Sequence, residues 1–277
     1  MIDLLGHDFM QLALMAALCT GLAAPVVGTY LVQRRLALMG DGIGHVAVTG
    51  VALGLLTGTS PTWTAVVVTI LGATLIEVIR ERGHTNGDVA LALLFYGGIA
   101  GGVLLTNLAD ESAATLNKYL FGSIIAMSRT DLAIVVVLAA VVVATTIALR
   151  PQFFAVCQDE SQARVMGIPV RLYGTLIAVL AAVTVTVAMR TVGLLLVSAL
   201  MVVPVAASQQ LTRSFRATHL AAMAIGLFSA VSGLLFSYQI DTQPGPTIVV
   251  IALAVFILAA LTRGVLHVRN RQEATRG

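Results

Sequence analysis

Two side chains that commonly ligate metals stand four residues apart in a glycine-rich segment. Asp41 and His45 belong to the sequence GDGIGH at residues 40–45, and residues four apart share one face of a helix. A carboxylate oxygen beside an imidazole nitrogen suits zinc, manganese or iron(II). The spacing leaves a second interpretation open, in which Asp41 is a helix N-cap and His45 bonds to a local partner.

The segments around this pair are long and apolar. Of the 277 residues, 58% are hydrophobic and 10% are charged, whereas soluble domains carry about 25% charged residues. Apolar runs such as 132–149 (LAIVVVLAAVVVATTIAL) have the length that spans a bilayer as a helix. They lack the alternation of a transmembrane β-barrel. The composition therefore predicts an all-α, polytopic membrane protein.

Nine apolar segments are predicted to cross the membrane. They are 9–32, 41–56, 62–79, 89–107, 132–149, 172–189, 192–211, 219–238 and 247–261. A weaker segment at 116–126 (LNKYLFGSIIA) is too short to span, and we predict an interfacial or re-entrant helix there. In this arrangement Asp41 begins its helix near the cytoplasmic side.

Basic residues predict the orientation of the nine spans. Thirteen of the 16 Lys and Arg residues fall in alternate gaps: Arg34, Arg35, Arg80, Arg82, Arg150, Arg164, Arg171, Arg213, Arg216, Arg263, Arg269, Arg271 and Arg276. The positive-inside rule then places the N-terminus outside and the C-terminus in the cytoplasm. Because the positive charge is spread over loop ends, we expect membrane lipid around the chain and no nucleic-acid partner.

The longest polar connection on the predicted cytoplasmic side covers residues 150–171 (RPQFFAVCQDESQARVMGIPVR). Pro151 is expected to stop the preceding span. Residues 159–164 have the composition of a short exposed helix, which Gly167 and Pro169 would end. One interpretation is a plain linker, and the other is a helix along the membrane face that contacts a cytoplasmic partner.

Charged and small residues elsewhere in the spans suggest packing roles. Glu77 lies one turn before Arg80 and is expected to pair near the membrane interface. Gly50, Gly54 and Gly58 recur every four residues, a spacing that lets helix backbones approach closely. The pairs at 97–98 and 101–102 repeat the same spacing.

The sequence contains no G-x-x-x-x-G-K-[ST] phosphate-binding loop, so uphill transport would need a partner ATPase or an ion gradient. A gradient-driven secondary metal-ion transporter is the alternative, but the spans offer almost no acid apart from Asp41. An intramembrane enzyme would need a facing nucleophile and base, and the sequence contains no such recognisable pair.

Taken together, these motifs resemble the ABC-3 family, the membrane permeases of ABC importers for zinc, manganese and iron(II). The resemblance covers residues 9–262. It is carried by Arg34 and Arg35 before Asp41 and His45, 119–122 (YLFG), 192–193 (VG), 202–206 (VVPVA) and 241–246 (DTQPGP).

The resemblance implies the helical fold of the larger, vitamin-B12-type (type II) ABC permeases, with one permease domain over residues 1–277 and a coupling loop at about 150–171. It implies a homodimer in the inner (cytoplasmic) membrane and a periplasmic or lipid-anchored metal-binding protein outside. A separate cytoplasmic ABC ATPase would contact the coupling loop at Asp159, Glu160, Ala163 and Gly167.

The resemblance also matches Asp41 and His45 to the motif that contacts the metal during translocation. No permanently bound cofactor is expected, because the metal is cargo and ATP binds the partner subunit. The histidine favours Zn2+ as that cargo, with Mn2+ and Fe2+ as alternatives.

Overall fold

The computed structural model describes residues 8–81, 87–109, 119–122, 128–189, 191–194 and 196–274. These residues include eleven delimited helices and no strand. The helices are α1 (Asp8–Gln33), α2 (Met39–Leu56), α3 (Pro61–Glu81), α4 (Gly87–Leu108), α5 (Arg129–Ala148), α6 (Arg150–Gln158), α7 (Glu160–Val165), α8 (Val170–Met189), α9 (Val197–Leu211), α10 (Phe215–Gln239) and α11 (Pro244–Ala274). The all-α prediction is confirmed.

Eight of the described helices are long and apolar enough to cross a membrane, namely α1 to α5, α8, α10 and α11. The ninth apolar helix, α9, has only 15 residues and is therefore about 22 Å long. The predicted span at 192–211 thus begins too early. Gly193 has a positive φ of 87°, so the chain turns there and the helix starts at Val197.

Contacts along α9 show the direction in which this short helix runs. At its beginning, a Cβ at Gly245 in the first turn of α11 would lie 3.0 Å from the side chain of Leu196, the N-cap of α9. Near its end, Arg263 of α11 donates a hydrogen bond of 2.9 Å to the Gln210 side chain. Helix α9 therefore runs in the same direction as α11, over part of its length.

One end of the bundle collects the loops that carry most of the basic residues. Tyr30 near the end of α1 packs on Phe153 of α6 and Phe215 of α10, with ring centroids 5.4 and 5.6 Å apart. We call this the basic end. At the opposite end, Phe9 at the start of α1 packs on Tyr238 at the end of α10.

Glycines hold α2 closely between α3 and α4. A Cβ at Gly50 would lie 2.6 Å from the Ala65 Cα of α3, and one at Gly98 would lie 2.6 Å from the His45 carbonyl carbon. The predicted close packing is therefore confirmed at these two positions. Gly58 has no such neighbour, and its φ of 66° serves a turn instead.

The connection at residues 150–171 contains two helices, of which the sequence predicted one. Pro151 lies in the first turn of α6 rather than after a helix end, a position where the missing proline N–H costs nothing. Leu149 is both the last cap of α5 and the first cap of α6, so the chain bends there without a loop. The predicted helix at 159–164 is confirmed as α7.

The predicted interfacial helix at 116–126 lies largely outside the described residues. Only 119–122 of that segment belong to the described part of the chain.

Candidate functional site

One strip of α2 is only partly covered by the rest of the described chain. Between Met39 and Ala52, every residue is buried except Asp41, His45 and Thr49. These three polar residues follow one another at intervals of four, so they form a single line along the helix. The two residues predicted to ligate metal therefore share one face and continue into a third polar side chain.

Asp41 is not the N-cap of its helix. Leu38 takes that position, and no side chain caps the first turn. The carboxylate of Asp41 instead accepts a hydrogen bond from Ser198 of α9, with 3.3 Å between the Ser198 Oγ and the Asp41 Oδ1. The N-cap interpretation of Asp41 is therefore wrong, and the carboxylate belongs to the contact between α2 and α9.

The start of α2 packs against the first turns of α9. Gly40 packs against Met201 and Ser198 of α9, where a Cβ would lie 3.4 Å from the Met201 sulfur and 3.5 Å from the Ser198 Cβ. Ser198 is the second residue of α9, so about 20 Å of helix separates it from Leu211 at the basic end. Asp41 thus lies beside the beginning of α9.

His45 is held between an aromatic ring and a glycine of α4. Its imidazole packs edge-on against Phe95, with ring centroids 4.1 Å apart. Its backbone lies against Gly98, and the Thr49 Oγ1 donates a 2.7 Å hydrogen bond to the Gly98 carbonyl. Helix α4 therefore fixes the position of α2 while leaving the polar strip partly exposed.

A single protomer supplies few metal ligands at this strip. Within the described ranges, no cluster of three or more His, Cys, Asp or Glu side chains has the geometry to hold a metal ion. Zinc usually takes about four ligands. Asp41 and His45 could thus supply two of those ligands at most, and the described part of this protomer adds no third.

Three sequence motifs that are distant in the chain meet beside this strip. The Leu194 N–H donates a 3.0 Å hydrogen bond to the Tyr119 carbonyl, and a Cβ at Gly245 would lie 3.0 Å from the Phe121 carbonyl oxygen. The Leu194 carbonyl in turn faces Gly44 of α2, where a Cβ would lie 2.9 Å away. The segments at 119–122 and the start of α11 therefore pack on 191–194, which in turn contacts α2 next to the polar strip.

Sequence reasoning missed Ser198, Phe95 and Leu194. Their residue types carry no signal for this site, and each comes near it only through helix packing.

The second predicted site is the exposed helix α7, and both of its ends are capped. Asp159 caps it, because its Oδ1 accepts hydrogen bonds from the Ser161 and Gln162 N–H groups at 2.8 and 3.0 Å. At the other end, Gly167 has a φ of 79° and the Ile168 N–H bonds to the Ala163 carbonyl. This is a Schellman motif, in which glycine is strongly favoured.

The four predicted contact residues do not all face outward. Ala163 is only 1% exposed and packs with Val156 and Val170, so it supports α7 from beneath. The exposed apolar side chains are Val165 at 89% and Met166 at 69%. Such exposure of two large apolar residues beside a polar loop is typical of a docking surface.

Glu160 is partly exposed, and its carboxylate belongs to a group of four charges. Its Oε1 accepts hydrogen bonds from the Nη2 atoms of Arg34 and Arg80 at 2.7 and 3.3 Å. Both arginines also bond to Glu77, which confirms that Glu77 is paired. Burial raises the pKa of Glu160, but the hydrogen bonds and charges of Arg34 and Arg80 outweigh it and hold the pKa below its ordinary value.

Comparisons with known proteins identify the family of this chain. A model of the ABC 3 transport family matches residues 6–263. The manganese transport system membrane protein MntC of Halalkalibacterium halodurans is 31% identical, over 93% of this chain and 88% of its own. The chelated iron transport system membrane protein YfeD of Yersinia pestis is 29% identical, over 97% of this chain and 90% of its own.

A solved structure shows the same fold. PsaBC from Streptococcus pneumoniae in complex with Fab superposes with a TM-score of 0.84 at 30% sequence identity, over 93% of each chain.

Proposed function

The chain belongs to the ABC 3 transport family, and from this premise we propose that it is the permease subunit of an ATP-driven importer that carries zinc. It is a multi-pass membrane protein and a permease of the ABC metal importers. The sequence has no phosphate-binding loop, so ATP is hydrolysed by a separate subunit. The whole chain serves as one permease domain.

The observation that carries this proposal is the partly exposed strip on α2. Ionisable residues within a membrane-spanning helix are costly unless they face a partner or a water-filled passage. Asp41 and His45 are two of the three partly exposed members of an otherwise buried stretch, and both are metal ligands by type. A cation passing along α2 would meet them in succession.

The choice of zinc rests on the imidazole of His45. Relatives of this chain are named for manganese and for chelated iron, so the metal differs within the family. The pair can serve either metal, but imidazole nitrogen is the more usual ligand of zinc, whereas manganese favours oxygen ligands. Zn2+ is therefore the proposed cargo, with Mn2+ and Fe2+ as the competing ions to be tested.

A second copy of the chain completes the metal site. One protomer contributes Asp41 and His45, which leaves about two ligand positions of a tetrahedral ion unfilled. A twofold axis beside the polar strip of α2 would bring two aspartates and two histidines together. A homodimer thus accounts both for the incomplete ligand set and for the partial exposure of this face.

The two ends of the bundle meet different partners. The basic end faces the cytoplasm, in accordance with the positive-inside rule, and places α7 where an ABC ATPase binds. Val165, Met166 and Gly167 form the exposed part of that contact. The opposite end, which carries Asp241, faces outward and receives the metal from a periplasmic or lipid-anchored binding protein.

Uptake into proteoliposomes tests this function. The permease is reconstituted with its ATPase and its metal-binding protein, and Zn2+, Mn2+ and Fe2+ are offered in parallel. We expect Zn2+ uptake that needs ATP and that a protonophore does not abolish. Uptake without ATP that collapses with the proton gradient would instead establish the secondary transporter, and faster uptake of Mn2+ than of Zn2+ would overturn the choice of metal.

A further inference from the structure

The four charges at the basic end join three separate parts of the chain. The Arg34 Nη2 lies 3.1 Å from the Glu77 Oε1 of α3 and 2.7 Å from the Glu160 Oε1 of α7. The Arg80 Nη2 lies 2.8 and 3.3 Å from the same two oxygens. Each carboxylate thus contacts both guanidinium groups, and we call these four residues the charge cluster.

Glu77 and Arg34 form the buried part of the charge cluster, whereas Glu160 is accessible from solvent. The side chains of Glu77 and Arg34 are 1% and 3% exposed, whereas that of Glu160 is 42% exposed. A buried charge is tolerated only with close partners, and Glu77 keeps two bonds to Arg80 at 2.8 and 3.0 Å even without Arg34. Glu77 and Arg80 therefore form an anchor within α3.

Gly174 of α8 leaves room for the charge cluster because glycine has no side chain. A Cβ at Gly174 would collide with the Glu77 Oε1 and would lie 3.3 Å from the Arg34 Nη2. Gly174 thus lets two buried charges approach a third helix, where any larger residue would force them apart.

Arg34 stands in the short loop that leads from α1 into α2. Only five residues, 34–38, separate the last residue of α1 from Met39. The loop is tight: the Leu36 N–H bonds to the Leu31 carbonyl at 2.8 Å, and the Met39 N–H bonds to the Leu36 carbonyl at 2.9 Å. A displacement of Arg34 is therefore passed to the first turn of α2, which carries Asp41.

We propose that Arg34 and Glu160 are positioning residues that transmit movement of α7 to the metal-binding turn of α2. The inference rests on the proposed function, in which α7 is the site where the ATPase binds. When the ATPase shifts α7, Glu160 pulls on Arg34, and the loop at 34–38 moves the start of α2 relative to Ser198. Glu77 and Arg80 provide the fixed point against which this movement occurs.

Arg34→Gln tests this link in the complete importer, because it removes one charge while Glu77 keeps Arg80. ATP hydrolysis and Zn2+ uptake are measured in the same proteoliposomes, and the readout is the amount of Zn2+ transported per ATP. We expect hydrolysis to continue while this ratio falls about fivefold or more. The matched control is Arg35→Gln, the same change at the exposed neighbouring arginine, which we expect to keep the wild-type ratio.

Several results would overturn the link. A wild-type ratio in Arg34→Gln, or an equal loss of hydrolysis and uptake, would show that the cluster only supports folding or docking. If Arg34→Gln does not assemble, Glu160→Gln provides the test, because Glu160 is accessible and its loss leaves Glu77 paired; a lowered ratio supports the link and a normal ratio overturns it. If the wild-type importer takes up no Zn2+ with ATP, the proposed function fails first and the link fails with it.

Discussion

Ser198 donates a hydrogen bond to Asp41 between two helices whose contact residues are 157 positions apart in the chain. The bond joins the first turn of α9 to the first turn of α2, beside the partly exposed polar strip. It orients one carboxylate oxygen of Asp41 and leaves the other available to a ligand. A residue that holds a metal ligand in this way commonly affects affinity nearly as much as the ligand itself.

Ser198→Ala should therefore weaken metal transport without unfolding the permease. We expect the concentration of Zn2+-loaded binding protein needed for half-maximal uptake to rise about tenfold, because the carboxylate loses its orienting donor. Ser232→Ala is the matched control, since the Ser232 hydroxyl bonds within α10 to the Phe228 carbonyl. Unchanged uptake in Ser198→Ala would show that this hydrogen bond does not position Asp41.

The neighbouring glycines of α4 give a second prediction. Gly98→Ala places a Cβ 2.6 Å from the His45 carbonyl carbon, whereas Gly97→Ala meets no atom within 4 Å. Overpacking of this kind costs about 1–3 kcal/mol. We expect Gly98→Ala to lower the thermal midpoint of the purified permease by several degrees and Gly97→Ala to leave it unchanged or slightly raised. Equal midpoints would contradict the close contact between α2 and α4.

Apolar runs and local motifs predicted much of this fold. The eight long spans follow from long apolar segments, and α7 follows from the composition of 159–164 with Gly167 and Pro169 after it. The pairing of Glu77 with Arg80 could be predicted because residues three apart lie on the same face of a helix. The late start of α9 was not predicted, because the apolar sequence around Gly193 continues through a turn.

Contacts between distant segments could not be predicted from the sequence. The pairing of Arg34 with Glu160 joins residues 126 positions apart, and that of Ser198 with Asp41 spans a still longer separation. No spacing rule links such residues, since helix packing alone brings them together. The contact of α2 with the first turn of α9 escaped prediction for the same reason, because no pattern in either segment indicates that they pack together.

Cysteine labelling tests the orientation of the bundle. We expect Gln243→Cys at the opposite end to react with an impermeant thiol reagent added outside intact cells, and Arg213→Cys at the basic end to react only after permeabilisation. Both side chains are exposed. Native Cys157 is not expected to react with the reagent. Burial raises the pKa of its thiol to about 12, and the thiolate is the reactive form. The reverse pattern would invert every loop assignment.

Gly167→Trp tests the docking surface of α7. The substitution places a large ring on the exposed end of α7 and also strains a position with a φ of 79°, at a cost of about 1 kcal/mol. We expect the ATPase to co-purify poorly while the permease remains folded in the membrane. Gly264→Trp is the matched control, because Gly264 of α11 likewise has no neighbour within 4 Å of a Cβ. Normal co-purification and hydrolysis in Gly167→Trp would remove α7 from the ATPase contact.

ATP-driven Zn2+ uptake by Asp41→Asn and His45→Phe tests the central claim most directly. The first substitution removes the charge and keeps the shape, and the second removes the imidazole nitrogens. We predict that uptake in each falls below about a tenth of the wild-type rate at equal amounts of assembled complex, because a lost metal ligand costs at least as much as a lost supporting bond. Asp241→Asn, the same change at the opposite end of the bundle, should transport normally. If Asp41→Asn and His45→Phe both transport Zn2+ at the wild-type rate, the pair is structural and the metal crosses elsewhere.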